Sequence, residues 1–216
     1  MARTSRRSSE SGQGPPPRAA EEDEAQRIID ATLALIPTAG WRRLSLPAIA
    51  AEAGLPLVSV YRAFRTKTAI LAAFTRRIDE KALAEPLAAA DEPARDCLFD
   101  LLMRRFDALR PYRSAIEVLR RELPGDPTAA LCMGMALLRS MRWMLDAAGI
   151  ATAGLGGVLA TKATAAAYLS AMRVFEGDDS ADLGRTMAAL DRALRRIELF
   201  LRPLSRPRGA AASTAA

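Results

Sequence analysis

Residues 45–67, SLPAIAAEAGLPLVSVYRAFRTK, contain the pattern that decides the fold. A short helix is predicted between Ser45, a suitable N-cap, and Gly54, which suits a tight helix end. A second short helix follows Pro56 and is expected to reach about Phe64. Two short helices joined by a glycine-centred turn have the geometry of a helix-turn-helix.

The apolar spacing assigns different faces to these two helices. The residues expected to pack inward are Ile49, Ala50, Val60 and Phe64. The second helix also carries Ser59, Tyr61 and Arg62 on other faces, where they can reach phosphates or base edges. An ordinary helical hairpin has the same pattern, so the surrounding charge is needed to favour one interpretation.

The charge around this segment favours nucleic acid. The chain has 31 Lys and Arg against 25 Asp and Glu, a net charge of +6. Residues 41–78 contain seven of the basic residues and only one acidic residue, Glu52. The long C-terminal part is nearly neutral. Such a distribution is typical of a protein whose basic segment, here residues 41–78, binds a polyanion while the long C-terminal part, here called the body, is nearly neutral.

The composition excludes several classes of protein. Histidine is absent, so catalytic Ser-His pairs and HExxH zinc sites are impossible. Cys97 and Cys132 are isolated, and no glycine-rich phosphate loop follows a strand. We therefore expect no enzyme activity, no catalytic residue, no metal and no cofactor. No apolar run is long enough for stable membrane insertion, and we expect a cytoplasmic protein.

The whole chain is predicted to be all-α, with about nine helices. Alanine-rich, aromatic-poor sequence favours helices, and the apolar residues recur at helical spacing. The first helix is expected to open on the acidic run 21–24 and to close at Pro37 and Gly40, and Ser180 is expected to cap the last helix. Four regions are predicted: a disordered basic arm over 1–20, a helix-turn-helix domain over 21–85, a helical body over 86–203 and a disordered tail over 204–216.

The run from Ile28 to Phe74 resembles the N-terminal domain of TetR-family transcriptional regulators. Twelve positions carry the resemblance: Ala34, Leu35, Gly40, Ser45, Ile49, Ala50, Ala53, Gly54, Tyr61, Phe64, Lys67 and Leu71. The resemblance implies a homodimeric, ligand-responsive regulator, and we expect a repressor. It also implies a near-palindromic double-stranded DNA operator and a C-terminal body that binds a small effector and pairs two copies.

The resemblance also implies roles for individual residues. Ser45, Tyr61 and Lys67 would hold phosphates, while Ser59 and Arg62 would face base edges, with Arg42 and Arg43 beside the groove. Leu57 and Val58 depart from the family pattern, as does Pro56 at the usual capping position. Because this helix offers few hydrogen-bonding side chains, Leu57 and Val58 would read thymine methyl groups by apolar contact.

A rival interpretation is a lipid-binding accessory protein of ubiquinone biosynthesis with a vestigial helix-turn-helix. The stretch FEGDDSADLGRTMAALDRALRRIE is similar to the C-terminal part of those TetR-like proteins, whose last helix lies on a membrane surface. The last predicted helix of the present chain carries an apolar seam, which could equally form a dimer interface or pack on the core of its own chain. We rank the dimer interface first and assign it Leu183, Met187, Leu190, Leu194, Ile197 and Leu201.

Methionine and aromatic residues in the body predict a pocket for a small apolar or amphipathic effector. Flexible thioethers can line an adaptable apolar pocket, although the same residues also fill ordinary cores. The candidate lining residues are Met103, Phe106, Tyr112, Met135, Arg139, Met141, Trp143, Met144, Tyr168, Met172 and Phe175.

Overall fold

A computed structural model describes residues 17–86 and 92–201. These ranges are built from α-helices, with two single-turn 3₁₀ helices at Arg110–Tyr112 and Leu123–Gly125 and no strand within them. The predicted all-α fold is therefore confirmed for the described residues. The helices are α1 (Pro17–Ala39), α2 (Leu46–Ala53), α3 (Leu57–Ala63), α4 (Lys67–Leu83), α5 (Ala94–Leu109), α6 (Arg113–Glu122), α7 (Pro127–Ala147), α8 (Gly154–Phe175) and α9 (Gly184–Leu201).

The first helix is longer than the sequence suggested. It begins at Pro17, before the acidic run, and continues through Pro37 to Ala39. Pro37 lies in the last turn, where a proline costs only one backbone hydrogen bond. The helix ends at Gly40, which has a φ of +77° and whose N–H donates to the Ile36 carbonyl at 3.0 Å.

Helix α4 joins the amino-terminal helices to the helices of the body. It contacts α1 on one side and α5 and α7 on the other. A buried ion pair joins its Asp79 to Arg105 of α5, and the Ser140 hydroxyl of α7 donates to the same carboxylate at 2.6 Å. Arg105 also donates to the Tyr168 hydroxyl of α8 at 3.1 Å. The four helices are thereby fixed to one another through a shared polar network.

The body has an aromatic and aliphatic core. Phe106 of α5 stacks on Tyr168 with ring centroids 4.8 Å apart and contacts Phe175 at 5.3 Å. Met103, Met141 and Met144 are buried in the same core. These side chains fill space between helices, as tightly packed cores require.

Three of the residues assigned to a dimer interface on α9 were assigned wrongly. Leu183, Leu190 and Leu194 are fully buried within the chain, because α9 packs along α8 and against α5. Met187 is 41% exposed and Ile197 is half-buried, whereas the side chain of Leu201 lies outside the described residues. With its seam in the core, α9 is also unsuited to lie on a membrane surface.

The start of α9 is set by Asp178 rather than by a Ser180 cap. The Asp178 carboxylate accepts hydrogen bonds from the Thr186 N–H and hydroxyl, both at 2.7 Å, and from the Ser180 hydroxyl at 2.5 Å. Burial disfavours the charged carboxylate, but these hydrogen bonds outweigh burial and lower the pKa of Asp178. Ser180 supports the turn, since its hydroxyl also accepts from the Gly184 N–H at 3.1 Å.

The predicted ends of the chain fall partly outside the described residues. The basic arm up to residue 16 and the tail over 204–216 are not among them. None of the described helices is both long and apolar enough to cross a bilayer.

Asp178→Asn is expected to destabilise the fold by about 1–3 kcal/mol, because buried donors lose their charged acceptor. A group whose pKa is depressed by folding stabilises the fold above its unfolded pKa of about 3.9. The difference between wild type and variant should therefore shrink as the pH falls below about 4. Urea unfolding at pH 7 and pH 3.5 measures both effects.

The neighbouring Asp179→Asn is the matched control for that experiment. Its carboxylate is 95% exposed and pairs with Arg113 at the surface, where an ion pair contributes little. Equal destabilisation by the two substitutions would contradict the role given to Asp178.

Candidate nucleic-acid interface and ligand cavity

The turn between α2 and α3 has the geometry that the sequence predicted. The Ala48 N–H donates to the Ser45 hydroxyl at 3.4 Å, and Gly54 adopts a left-handed conformation with a φ of +62°. The Leu55 N–H then donates to the Ala50 carbonyl at 3.0 Å, closing a Schellman-type helix end. This compact turn sets the direction in which α3 leaves.

Apolar burial fixes which face of α3 points outward. Ile49 of α2 and Val60 of α3 are fully buried, and Ala50 and Phe64 are also buried, as predicted. The remaining surface of α3 presents Leu57, Val58 and Tyr61, which are 47–55% exposed, together with exposed Arg62. Ser59 is half-buried between the two faces.

The exposed side of α3 is apolar at one end. Leu57, Val58 and Tyr61 border a shallow groove whose other wall is Leu46 and Pro47 of α2. We call these five residues the apolar reading surface. The sequence had indicated the α3 residues, but the contribution of Leu46 and Pro47 becomes evident only when α2 and α3 are placed side by side.

Positive charge adjoins the apolar reading surface. Arg62 and Arg65, on α3 and just after it, are exposed, and within residues 17–86 and 92–201 neither makes a side-chain ion pair. Arg42 and Arg43 are exposed in the loop before α2, where the Arg42 guanidinium lies beside Gly125 of the body. The Arg65 guanidinium lies 6.0 Å from the centroid of the Tyr61 ring, at the limit of a cation–π contact. Unpaired guanidinium groups around an exposed helix favour binding to phosphates.

Two predicted phosphate contacts also have roles inside the protein. The Ser45 hydroxyl caps α2, although its side chain is exposed. The Lys67 ammonium donates to the Trp41 carbonyl at 2.7 Å and to the Leu44 carbonyl at 3.4 Å, and it lies 4.5 Å from the centroid of the Trp41 ring. Lys67 therefore holds the loop between α1 and α2.

Arg27 of α1 supports the helix-turn-helix and was missed by sequence reasoning. Its guanidinium donates to the Ala53 carbonyl at 2.6 Å and to the Gly54 carbonyl at 3.4 Å. These carbonyls at the end of α2 lack helical partners, and a cation is favoured there. A single arginine on a helix gives no sequence signal for such a contact.

Two carboxylates of the body, one at the end of α6 and one at the start of α7, accept hydrogen bonds from the loop before α2. The backbone N–H of Arg42 donates to the Glu122 carboxylate at 3.0 Å, and the Trp41 indole N–H donates to the Asp126 carboxylate at 3.3 Å. Hydrogen bonds from the Ala129 N–H and from Trp41, together with nearby positive charge, lower the pKa of Asp126. The Glu122 and Asp126 carboxylates thus join the body to the helix-turn-helix domain.

A cavity of about 430 Å³ lies in the body between α4, α5, α6, α7 and α8. Its walls are mainly apolar, with Leu109, Leu119 and Met133 among them, and its charged lining residues are Arg105, Arg120 and Arg173. The volume lies within the roughly 300–1,000 Å³ of typical small-ligand sites. Burial raises the pKa of Tyr168 in the cavity wall, so its hydroxyl stays protonated.

The predicted pocket residues divide into four groups. Tyr168 and Met172 line this cavity, while Arg139 and Trp143 line a second cavity of about 360 Å³ between α4 and α7. Tyr112 packs edge-on against Phe74, and Met135 is exposed. The other five are core residues that line neither cavity: Met103, Phe106, Met141, Met144 and Phe175.

Comparison with known proteins agrees with this geometry. Residues 28–74 match the family model of bacterial regulatory proteins of the tetR family. No curated protein matches the sequence significantly. The match covers the same run, Ile28 to Phe74, on which the sequence resemblance was based.

Solved TetR structures share the fold over most of the chain. A TetR transcriptional regulator from Nitrosomonas europaea ATCC 19718 has a TM-score of 0.64 and 23% identity, with 82% of this chain and 99% of that chain covered. One from Rhodococcus sp. RHA1 has a TM-score of 0.58 and 19% identity, with 86% and 100% covered. One from Streptomyces coelicolor has a TM-score of 0.56 and 16% identity, with 85% and 88% covered.

The amino-terminal domain belongs to the tetR family of bacterial regulatory proteins, and the chain has the fold of TetR transcriptional regulators. The helix-turn-helix over α2 and α3 is the DNA-binding element of that family.

Gly54→Ala is expected to destabilise the fold by about 1 kcal/mol, because an alanine is strained at a φ of +62°. Gly134→Ala is the matched comparison in the middle of α7, where a methyl group meets nothing within 4 Å. There the better helix propensity of alanine should stabilise the fold by up to about 1 kcal/mol. Thermal unfolding distinguishes the two; shifts of the same sign would contradict the assigned turn geometry.

Proposed function

We propose that the protein is a homodimeric, ligand-responsive DNA-binding repressor of transcription. The observation that carries this proposal is the exposed side of α3, where Arg62 and Arg65 adjoin the apolar reading surface and form no ion pair with any carboxylate of the described residues. In a dimer, two such helices would enter successive major grooves about 34 Å apart on a near-palindromic site. An effector in the body would favour one spacing of the two helices over another.

Fluorescence anisotropy on the duplex upstream of its own gene tests DNA binding directly. Arg62→Ala should weaken binding by about 1–3 kcal/mol, because a base-edge contact is lost. Arg192→Ala on α9 is the control, since Arg192 is exposed on the body. No binding at low salt, or equal effects of the two substitutions, would refute the proposed interface.

Base reading by the apolar reading surface has a separate test. Replacing thymine by uracil in a bound operator removes only the 5-methyl groups, so wild-type affinity should fall several-fold. The variant Leu57→Ala/Val58→Ala should be weaker on the thymine duplex and insensitive to uracil. Leu83→Ala, a change at an exposed apolar residue of α4, should retain the wild-type sensitivity to uracil. An equal uracil effect in all three proteins would contradict methyl reading.

The proposed dimer uses α8 rather than the buried seam of α9. Helix α8 presents an exposed apolar strip, Leu155, Val158, Leu159 and Leu169, with Leu155 91% exposed. Exposed apolar residues repeated along one face of a helix, here with Lys162 between Leu159 and Leu169, are typical of a contact with another protein surface. Two-fold symmetry allows the same strip on a second copy to cover it. Met187 on α9 is exposed enough to join that contact.

Leu159→Glu should convert the dimer to a monomer, because two carboxylates would be buried at the symmetric contact. Val58→Glu is the matched control, being an equally exposed apolar position on α3, and should leave the dimer intact. Sedimentation velocity at micromolar concentration measures the result. A wild-type chain that is monomeric, or a dimer that survives Leu159→Glu, would contradict this interface.

A contact path supports the response to ligand. Leu119 and Leu123 at the end of α6 line the 430 Å³ cavity, and the adjoining Glu122 and Asp126 hold the loop before α2. A molecule that displaced the end of α6 would therefore act on the loop that positions the helix-turn-helix.

The ubiquinone accessory function is not favoured. Its main sequence argument was an amphipathic last helix free to lie on a membrane, whereas the apolar seam of α9 is buried. Among the described residues, Arg62 and Arg65 also lack the carboxylate partners that a purely structural role would give them.

A further inference from the structure

The charge lining the 430 Å³ cavity indicates the class of its ligand. Eighteen residues line the cavity, and they include three arginines but no aspartate or glutamate. The remaining walls are predominantly aliphatic, with Leu109, Leu119 and Met133 as examples. An apolar space with one sign of charge at its boundary suits an amphipathic molecule.

The three arginines are not equivalent. Arg105 is buried and its charge is balanced by Asp79. Arg120 on α6 is balanced by Glu176, the residue that follows α8, whose side chain is largely buried. Arg173, one turn before Glu176 on α8, is exposed, and no carboxylate pairs with it in the part of the chain that the structure describes.

An uncompensated guanidinium beside an apolar cavity discriminates between ligand charges. An anionic head group would gain charge-assisted hydrogen bonds from Arg173. A cationic head group would meet positive charge, with no acidic residue in the cavity lining to hold it. A neutral head group would gain neither advantage nor penalty from the net charge.

We propose that the effector is an organic anion with an apolar body, its chain lying against the aliphatic walls of the cavity and its acidic head group bound at Arg173. This inference rests on the proposed ligand response, because it names the class of molecule that the same cavity takes. The aliphatic lining holds the apolar body, and Arg173 selects for negative charge.

The test compares three probes with the same ten-carbon chain: decanoate, 1-decanol and decyltrimethylammonium, below their micellar concentrations. Isothermal titration calorimetry on the full chain should give decanoate a Kd at least about tenfold lower than that of 1-decanol, with the ammonium weakest. Arg173→Gln should remove the advantage of decanoate, while Arg173→Lys should retain much of it. Arg192→Gln, on the exposed side of α9, should leave all three affinities unchanged.

Several outcomes would overturn the proposal. These are equal or tighter binding of 1-decanol or the ammonium, an advantage of decanoate that survives Arg173→Gln, and no binding of any probe. DNA binding by the same preparations, measured without probe, reports separately on the proposed repressor function. A chain that binds decanoate through Arg173 but not DNA would refute the repressor and leave the ligand class standing. A chain that binds DNA but prefers 1-decanol would refute the proposed ligand class and leave the repressor function standing.

Discussion

The burial of Ile49 and Val60 between α1, α2 and α3 is the constraint on which the proposed interface depends. Both side chains are completely enclosed, and the tight turn at Gly54 leaves α3 only one way to pack. Because Val60 points inward, Val58 and Arg62, two residues away on either side, must point outward on a helix of this period. The exposed apolar and basic side of α3 follows from the burial of its other side.

The same domain is held by polar contacts that come from elsewhere in the chain. Arg27 satisfies carbonyls at the end of α2, and Lys67 satisfies carbonyls of the loop before it. Glu122 and Asp126 reach that loop from the body. The loop over 40–44 is therefore the point at which the start of α4 and the end of α6 meet the DNA-binding domain. The proposed ligand response uses this meeting point, since α6 also lines the cavity.

Local signals in the sequence were sufficient to predict the helix-turn-helix. Ser45, Gly54 and the apolar spacing act over a few residues, so the predicted α2 and α3 agree closely with the structure. The role of α9 could not be predicted in this way. An apolar seam looks the same whether it faces its own core, a partner or a membrane, and only the packing of α8 and α5 against Leu190 and Leu194 distinguishes them.

The sequence predicted a cavity in the body, but it identified only some of the residues that line it. Tyr168 and Met172 line it as expected, but most of the methionines chosen from the sequence fill the core instead. Its charged residues come from three helices distant in sequence, and Arg105 and Arg120 are neutralised by partners that no local pattern identifies. Arg173 becomes distinctive only once those pairings are known.

The most direct test of the whole account is selection of duplexes from a random-sequence pool by the purified full chain. Two copies presenting α3 symmetrically should enrich an inverted repeat whose half-sites are centred about one helical turn, roughly 10 base pairs, apart. Enrichment of a single unrepeated motif, or of no motif, would contradict the claim that a symmetric pair of these helices reads DNA.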